Sequence, residues 1–387
     1  MTNGGVAADR PANAAPFRLG YQPALDGIRA FAVLAVMVGH AAQISGWRIG
    51  AGGGIGVFVF FVLSGFLITA LLIEERDRTG TNRLGKFYAR RALRLLPALV
   101  VVLAFCGLYR LLSSSQHAID TAKAIPSAMF YYANFHRIGS EAMGALAHTW
   151  SLAVEEQFYL LWPIVVIAIG ALARPRVWKQ WVLVVALAGA VASQIERLAL
   201  WDHASQQRLS VAPDTAADGL LWGCATALVL YIVSDAGRQR MANVARLLVV
   251  PGVLILLVWI VWLPGGEGGV VRYGQLLVAL ASASVIAFIV LAPAGPLHRF
   301  LSTRPAIEIG RRSYGLYLWH WVVLTIALSE GLGAKPAVLL EFTLTFVIAW
   351  LSFALVEQPF LRLKGRFATD RVKAEHVESW PAEVPDS

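Results

Sequence analysis

Two stretches put ionisable side chains into otherwise apolar surroundings. Residues 25–42, LDGIRAFAVLAVMVGHAA, carry Arg29 and His40. Eleven residues on a helix make about three turns and roughly 16 Å, so the two side chains point to nearly the same side. An ionisable residue in a membrane span costs on the order of 2.5–3.5 kcal/mol on insertion scales and by default faces a bundle interior or a wet cavity. The pair is therefore expected to line one passage. The plainer alternative has Arg29 snorkelling to the headgroups and His40 bonded to a carbonyl. It fits less well in a span with no other polar residue beyond its first turn.

The second stretch, HTWSLAVEEQFYLLWP, supplies Glu155 and Glu156. Ser151, Glu155, Tyr159 and Trp162 recur at helical spacing and project within about 80° on one face. That makes Glu155 the inward carboxylate. Glu156, among Leu152, Leu160 and Pro163, is expected either to be protonated or to bond a neighbouring helix. Counted from the outer helix ends, Glu155 and His40 lie about 10 Å and about 8 Å deep, which predicts a shared layer. An imidazole oriented by a carboxylate can act as a general base; structural interhelical bonding is the competing reading for the acid pair.

A third cluster, FYARRALRLLP, brings Arg90, Arg91 and Arg94 together before an apolar run. Arginine forks match phosphate oxygens, so the cluster suits a polyanion. Topology alone also makes such loops basic. Smaller signals are the glycines of GGGIGVFVFFVLSGFLIT, read as close helix packing, and Tyr314, Tyr317 and His320 in GRRSYGLYLWHWVV. His320 reads as an interfacial or structural histidine beside Trp319 and Trp321.

The elements that must position these groups are membrane helices. The chain has 387 residues, 57% hydrophobic and 15% charged, with a mean hydropathy of +0.62; soluble domains are about 25% charged. Apolar segments near the bilayer length predict ten spans, at 27–45, 53–73, 95–112, 148–172, 180–196, 216–233, 247–263, 273–293, 314–331 and 338–356. The expected fold is all-α, a polytopic membrane helix bundle with both termini on one side. Of the 33 Lys and Arg residues, 24 fall on the terminal side and eight on the other, which places the termini in the cytoplasm. The same bias accounts for the net charge of +9 without nucleic acid. Cys106 and Cys224 stand singly in apolar runs, so no disulfide framework is expected, and the histidines and carboxylates show no metal-ligand spacing. Residues 1–20 read as a cytoplasmic tail rather than a leader, 21–364 as one membrane domain, and 365–387 as a disordered cytoplasmic tail. The stretch 113–147 is expected outside the membrane on the outer side.

In order, LDGIRAFAVLAVMVGHA, FVFFVLSGFLIT, FYARRALRLLP, HTWSLAVEEQFYLLWP, DTAADGLLWG, GRRSYGLYLWHW and VEQPFLR resemble membrane acyltransferase family 3, whose members O-acylate carbohydrates and other hydroxyl acceptors. The likeness runs over about residues 21–364. It implies a ten-helix bundle in a bacterial inner membrane, acyl-CoA (acetyl-CoA foremost) as cytoplasmic donor co-substrate with no further cofactor, and a hydroxyl-bearing acceptor such as a polysaccharide or lipid-linked sugar. It implies His40 and Arg29 as motif residues and Arg90, Arg91 and Arg94 as the basic motif. Asp26 and Trp150, inside matched motifs, join the substrate-binding set with Ser151 and Tyr159. One departure is Ala216, where the family often has Arg, which leaves Asp214 and Asp218 without the usual partner. Some members carry a fused outer hydrolase-like domain; none is expected within these residues. The combined expectation is acyl-CoA phosphates on Arg90, Arg91 and Arg94, its arm passing Arg29, His40 as base, and Glu155 and Glu156 completing the catalytic set. The rival expectation is a glycolipid or small-molecule carrier that uses the same buried groups for binding alone.

Overall fold

The computed structural model describes residues 17–363 apart from 48, 140 and 263–268. Ten helices traverse the bundle: α1 (Pro23–Ser45), α2 (Ile55–Thr79), α3 (Leu84–Leu112), α4 (Trp150–Leu172), α5 (Trp178–Ala199), α6 (Asp218–Ile232), α7 (Asp235–Trp262), α8 (Gln275–Leu291), α9 (Ser313–Ser329) and α10 (Ala334–Ser352). Eight are long and apolar enough to cross a membrane, α8 only together with the π turn that leads into it. The other two, α6 and α9, have 15 and 17 residues. Both are mostly buried, so neighbouring helices rather than lipid surround them. The protein is an integral membrane helix bundle. Among the described residues there is no strand.

Helix α1 stops at Gly46, whose φ of 69° lies in the left-handed region that glycine enters without a Cβ penalty. Helix α2 and the 3-10 turn Ala51–Gly54 that leads into it carry glycines that let backbones touch: a Cβ on Gly53 of the turn would strike Gly39 and the Ala35 carbonyl, and one on Gly65 of α2 would strike the Leu220 carbonyl. The small-residue reading of this stretch is thus realised as backbone contact with α1 and α6. Gly65→Ala should force α2 from α6 and lower stability by about 1–3 kcal/mol. The check is the monodisperse fraction after detergent extraction; wild-type recovery would show that the contact tolerates a methyl group.

Three expectations are corrected. Helices α3 and α7 begin at Leu84 and Asp235, not near 95 and 247. For α3 the reason is that its arginine-rich first turns lie against acids of α4 and remain helical. The stretch 113–147 is not simply external. The helix Gln116–Met129 folds back along α3, and Ala124 and Ala128 pack with Ala98, Leu99, Val102 and Cys106. The chain turns at Tyr131, and the Ala133–Ile138 helix and the 3-10 turn Gly144–Thr149 lead into α4. Finally, both aspartates near Ala216 have arginine partners from elsewhere. Arg197, fully buried, donates to Asp218 Oδ2 at 2.5 Å and also reaches Gln194 and Gln275. Arg208 pairs with Asp214 at 2.5 Å. The expected tails fall almost entirely outside the described residues.

Candidate active site

A cavity of about 350 Å³ enters the bundle between α2, α3, α4 and α9. Leu19, Gly20, Glu74 and Phe87 line it on the side where α1 begins, and Ser151 and Tyr317 line it deeper in the bundle. Arg29, Arg91, Arg94, Glu155, Glu156 and Tyr159 line it between these limits. The sequence thus delivers Arg29, two of the three clustered arginines, both glutamates, Ser151 and Tyr159 to one space. Arg90 and Trp150 are not among its lining residues. Trp150 packs edge-on to Phe61, with centroids 6.4 Å apart, and the Arg137 guanidinium lies 5.9 Å from its ring.

The charges inside are unequally committed. Arg91 is clamped: Nε donates to Glu156 Oε2 at 2.8 Å, Nη2 also bonds Glu156 and lies 3.4 Å from Glu155 Oε1, and the guanidinium sits 3.1 Å over the Tyr159 ring. Arg91 is therefore an internal counter-ion rather than an open phosphate ligand. Glu156 bonds a neighbouring helix as expected. Arg29 pairs with Asp26 Oδ1 at 2.5 Å, while Asp26 Oδ2 accepts from Tyr21 at 2.9 Å. Arg94, exposed to the cavity, is within electrostatic reach of Arg29, Arg91 and Asp26. Glu357, in the VEQPFLR motif, is 4% exposed and electrostatically coupled to Arg94.

The pairing of Glu155 with His40 is also corrected. Glu155 Oε1 accepts from Ser64 Oγ at 2.7 Å, and His40 Nδ1 lies 3.0 Å from His320 Nε2. His320 Nδ1 lies 2.6 Å from the Tyr317 carbonyl. A carbonyl can only accept, so His320 carries its proton on Nδ1 and presents a lone pair at Nε2. His40 must then donate from Nδ1, and neutral His40 keeps an unprotonated Nε2. One carbonyl anchor, relayed through His320, thus selects for neutral rings the tautomer that a general base requires. The rings of His40 and His320 are parallel, with centroids 5.2 Å apart, and Trp321 covers His40 at 4.4 Å.

His148 is a further histidine of this cluster, passed over because it opens the motif at its supposed outer end. It is 3% exposed, its ring lies 5.5 Å from His320 and 5.4 Å from Tyr317, and both ring nitrogens lack a hydrogen-bond partner. Leaving a buried polar group unpaired costs about 1–3 kcal/mol. At the cavity wall nearest the histidines, Ser151 Oγ lies 2.5 Å from Tyr317 Oη, and Tyr317 Oη also donates to the His148 carbonyl at 2.9 Å. His40 itself is not among the cavity's lining residues.

The membrane bundle thus holds a cavity lined by arginines and glutamates, with a hydrogen-bonded pair of histidines outside its lining. Sequence comparison makes the class definite: a family described as an acyltransferase domain matches residues 22–357, and the chain belongs to that acyltransferase family. Among its relatives is the O-acetyltransferase OatA of Staphylococcus aureus strain NCTC 8325 / PS 47, 31% identical over 359 residues, which cover 89% of this chain and 58% of the relative. OatA of strain COL gives the same figures, and a further S. aureus protein, from strain MSSA476, is 31% identical over 378 residues. The chain spans a little over half the length of these relatives. No solved structure matches it.

Proposed function

We propose that this protein is a membrane O-acetyltransferase that moves an acetyl group from cytoplasmic acetyl-CoA to a hydroxyl of a carbohydrate or similar acceptor. The observation that carries the reading is the chain from His40 Nδ1 through His320 to the Tyr317 carbonyl, with Tyr317 itself lining a cavity that also holds Arg29 and Arg94. The family and the O-acetyltransferase relatives support the reaction type. Both termini are taken as cytoplasmic, following the basic-residue bias, so the cavity mouth faces the acyl-CoA pool of a bacterial inner membrane.

In this scheme the donor's phosphates lie on Arg94 and Arg29, and its pantetheine arm runs past Glu155 and Ser64 towards Tyr317. Separation of Ser151 from Tyr317 joins the thioester to the histidines. His40 Nε2 then takes the proton of the acceptor hydroxyl as that oxygen bonds the thioester carbon. The C–S bond breaks with its electron pair on sulfur, and the thiolate recovers the proton from His40, so ester and CoA thiol are the products. His320 shares the transient positive charge through the Nδ1–H bond.

The test uses purified full-length chain without a membrane gradient. Acetyl-CoA plus an acceptor identified from cell-surface glycans should yield free CoA and acetylated acceptor, because bond exchange needs no second compartment and carriage does. Absence of both products with a verified acceptor refutes the enzyme reading. Arg94→Ala should raise the half-saturating acetyl-CoA concentration about tenfold while changing maximal turnover less. An unchanged donor dependence would remove Arg94 from the donor site.

A further inference from the structure

Helix α10 carries a carboxylic acid that the scheme above leaves unused. Its buried residues are Ala337, Glu341, Thr345, Ala349 and Ser352, one helix face by their spacing. Glu341 and Thr345 are fully buried, and neither Glu341 oxygen nor Thr345 Oγ1 closes a hydrogen bond. No ionisable neighbour among the described residues acts on the Glu341 carboxyl, so it is neither half of an ion pair nor the acid that orients a histidine. Two contacts fix its level against α9. A Cβ on Gly315 would lie 3.6 Å from the Ala349 Cβ, and Ala337 shares an apolar cluster with Leu324 and Ala327. Between these, the antiparallel helices set Glu341 opposite Val322 and Val323, about 4 Å nearer the α9–α10 turn than His320. Trp321 bridges the two levels. Its ring centroid is 4.4 Å from that of His40, it packs on the Ala337 cluster together with Ile44 of α1, and its buried Nε1–H has no acceptor.

An unpaired buried carboxyl destabilises the free protein, and an apolar residue in its place would cost less. A ligand that completes the site accounts for it. That ligand must donate to the carboxyl oxygens, accept from the indole N–H and lie beside His40. Neighbouring hydroxyls of a carbohydrate meet all three demands, because each both donates and accepts. A phosphate is repelled by the carboxylate, and a cation answers the carboxyl but not the indole. We propose that Glu341 binds the acceptor: its oxygens take hydrogen bonds from neighbouring hydroxyls of a carbohydrate, Trp321 Nε1–H donates to another oxygen, and a further hydroxyl of the same molecule is set at His40. The inference rests on the acyltransferase reading above and supplies its acceptor side. Glu341, Thr345 and Trp321 are not among the residues lining the cavity, so donor and acceptor reach His40 from different sides. Helix α10 is also the span that yields most easily. Its apolar window is 22% buried, the lowest share of the eight spans, and its buried face holds no large apolar side chain. No bond to Glu341 forms or breaks.

The experiment uses purified full-length protein, acetyl-CoA and two acceptor probes, methyl glucoside and propanol, of which only the first has neighbouring hydroxyls. Glu341→Gln should raise half-saturating methyl glucoside about tenfold or more, with half-saturating acetyl-CoA and transfer to propanol changed less than about twofold. An unchanged methyl glucoside requirement, or an equal loss with propanol, overturns the proposal. Glu341→Leu should unfold at or above the wild-type temperature, because the carboxyl is unpaired in the free protein. A lowered unfolding temperature would show that it bonds within the fold, and overturns the proposal too. A third measurement needs no turnover: dicyclohexylcarbodiimide should tag Glu341, detected by mass, and methyl glucoside should slow the tagging severalfold while acetyl-CoA does not. Protection without acetyl transfer to either probe leaves sugar binding but defeats the acyltransferase reading, and the acceptor role with it. Transfer without protection, or no tag at all, defeats this inference alone.

Discussion

If the proposed function holds, His40→Ala is expected to lower acetyl transfer by about 10²–10⁴-fold, the range general-base removal commands, with acetyl-CoA binding retained. Retention is expected because His40 is not among the residues lining the cavity. The neighbouring imidazole gives a graded control. His320→Gln can offer an amide oxygen to His40 Nδ1–H and should keep part of the activity. His320→Ala removes the acceptor, lets the His40 proton move to Nε2, and should approach the His40→Ala level. Measuring CoA release and product mass together checks this. Turnover of His40→Ala within tenfold of wild type would move the base elsewhere, first to His148, whose nitrogens are unpartnered.

The second large effect falls on stability. Arg91→Ala strips the counter-ion from two carboxylates in one cavity wall and removes the guanidinium over Tyr159. Breaking one side of a buried ion pair costs about 3–5 kcal/mol, so the variant should extract as aggregate or unfold at much lower temperature. Arg91→Lys should not restore it, because one ammonium cannot reproduce the forked contact with Glu156. Combining Arg91→Ala with Glu156→Gln should recover part of the loss by removing one unpaired charge, a coupling that a double-mutant cycle measures. Thermal unfolding of the four proteins is the check. An Arg91→Ala protein as stable as Arg94→Ala would show that the clamp carries no weight.

Much of this architecture is written into local sequence, and the exceptions share a cause. Span positions follow from apolar length, and the lining roles of Glu155 and Tyr159 from helical spacing. The Glu155–His40 layer does not follow, because depth counting assumes straight helices that begin at common membrane planes. Here α3 starts early under its arginines, and the 113–147 segment folds inward. The partner of His40 lies 280 positions away, and its protonation is dictated by a carbonyl, which every residue has and which leaves no mark in composition. Likewise Asp218 meets Arg197 across two helices, a substitution for a missing local arginine that only the packed fold discloses.

The Ser151–Tyr317 bond also has an electrical meaning. A water-filled cavity open on one side would hold nearly the same potential as the solution it joins, and the transmembrane voltage would then fall mostly across the protein beyond Tyr317. One elementary charge crossing 100 mV changes energy by about 2.3 kcal/mol. A proton reaching His40 across that compressed field is helped or hindered by the membrane potential, whereas one arriving through the cavity scarcely feels it. In sealed vesicles, then, the polarity of an imposed potassium diffusion potential should alter turnover if the proton crosses that part of the protein, even though the chemistry proceeds without any gradient.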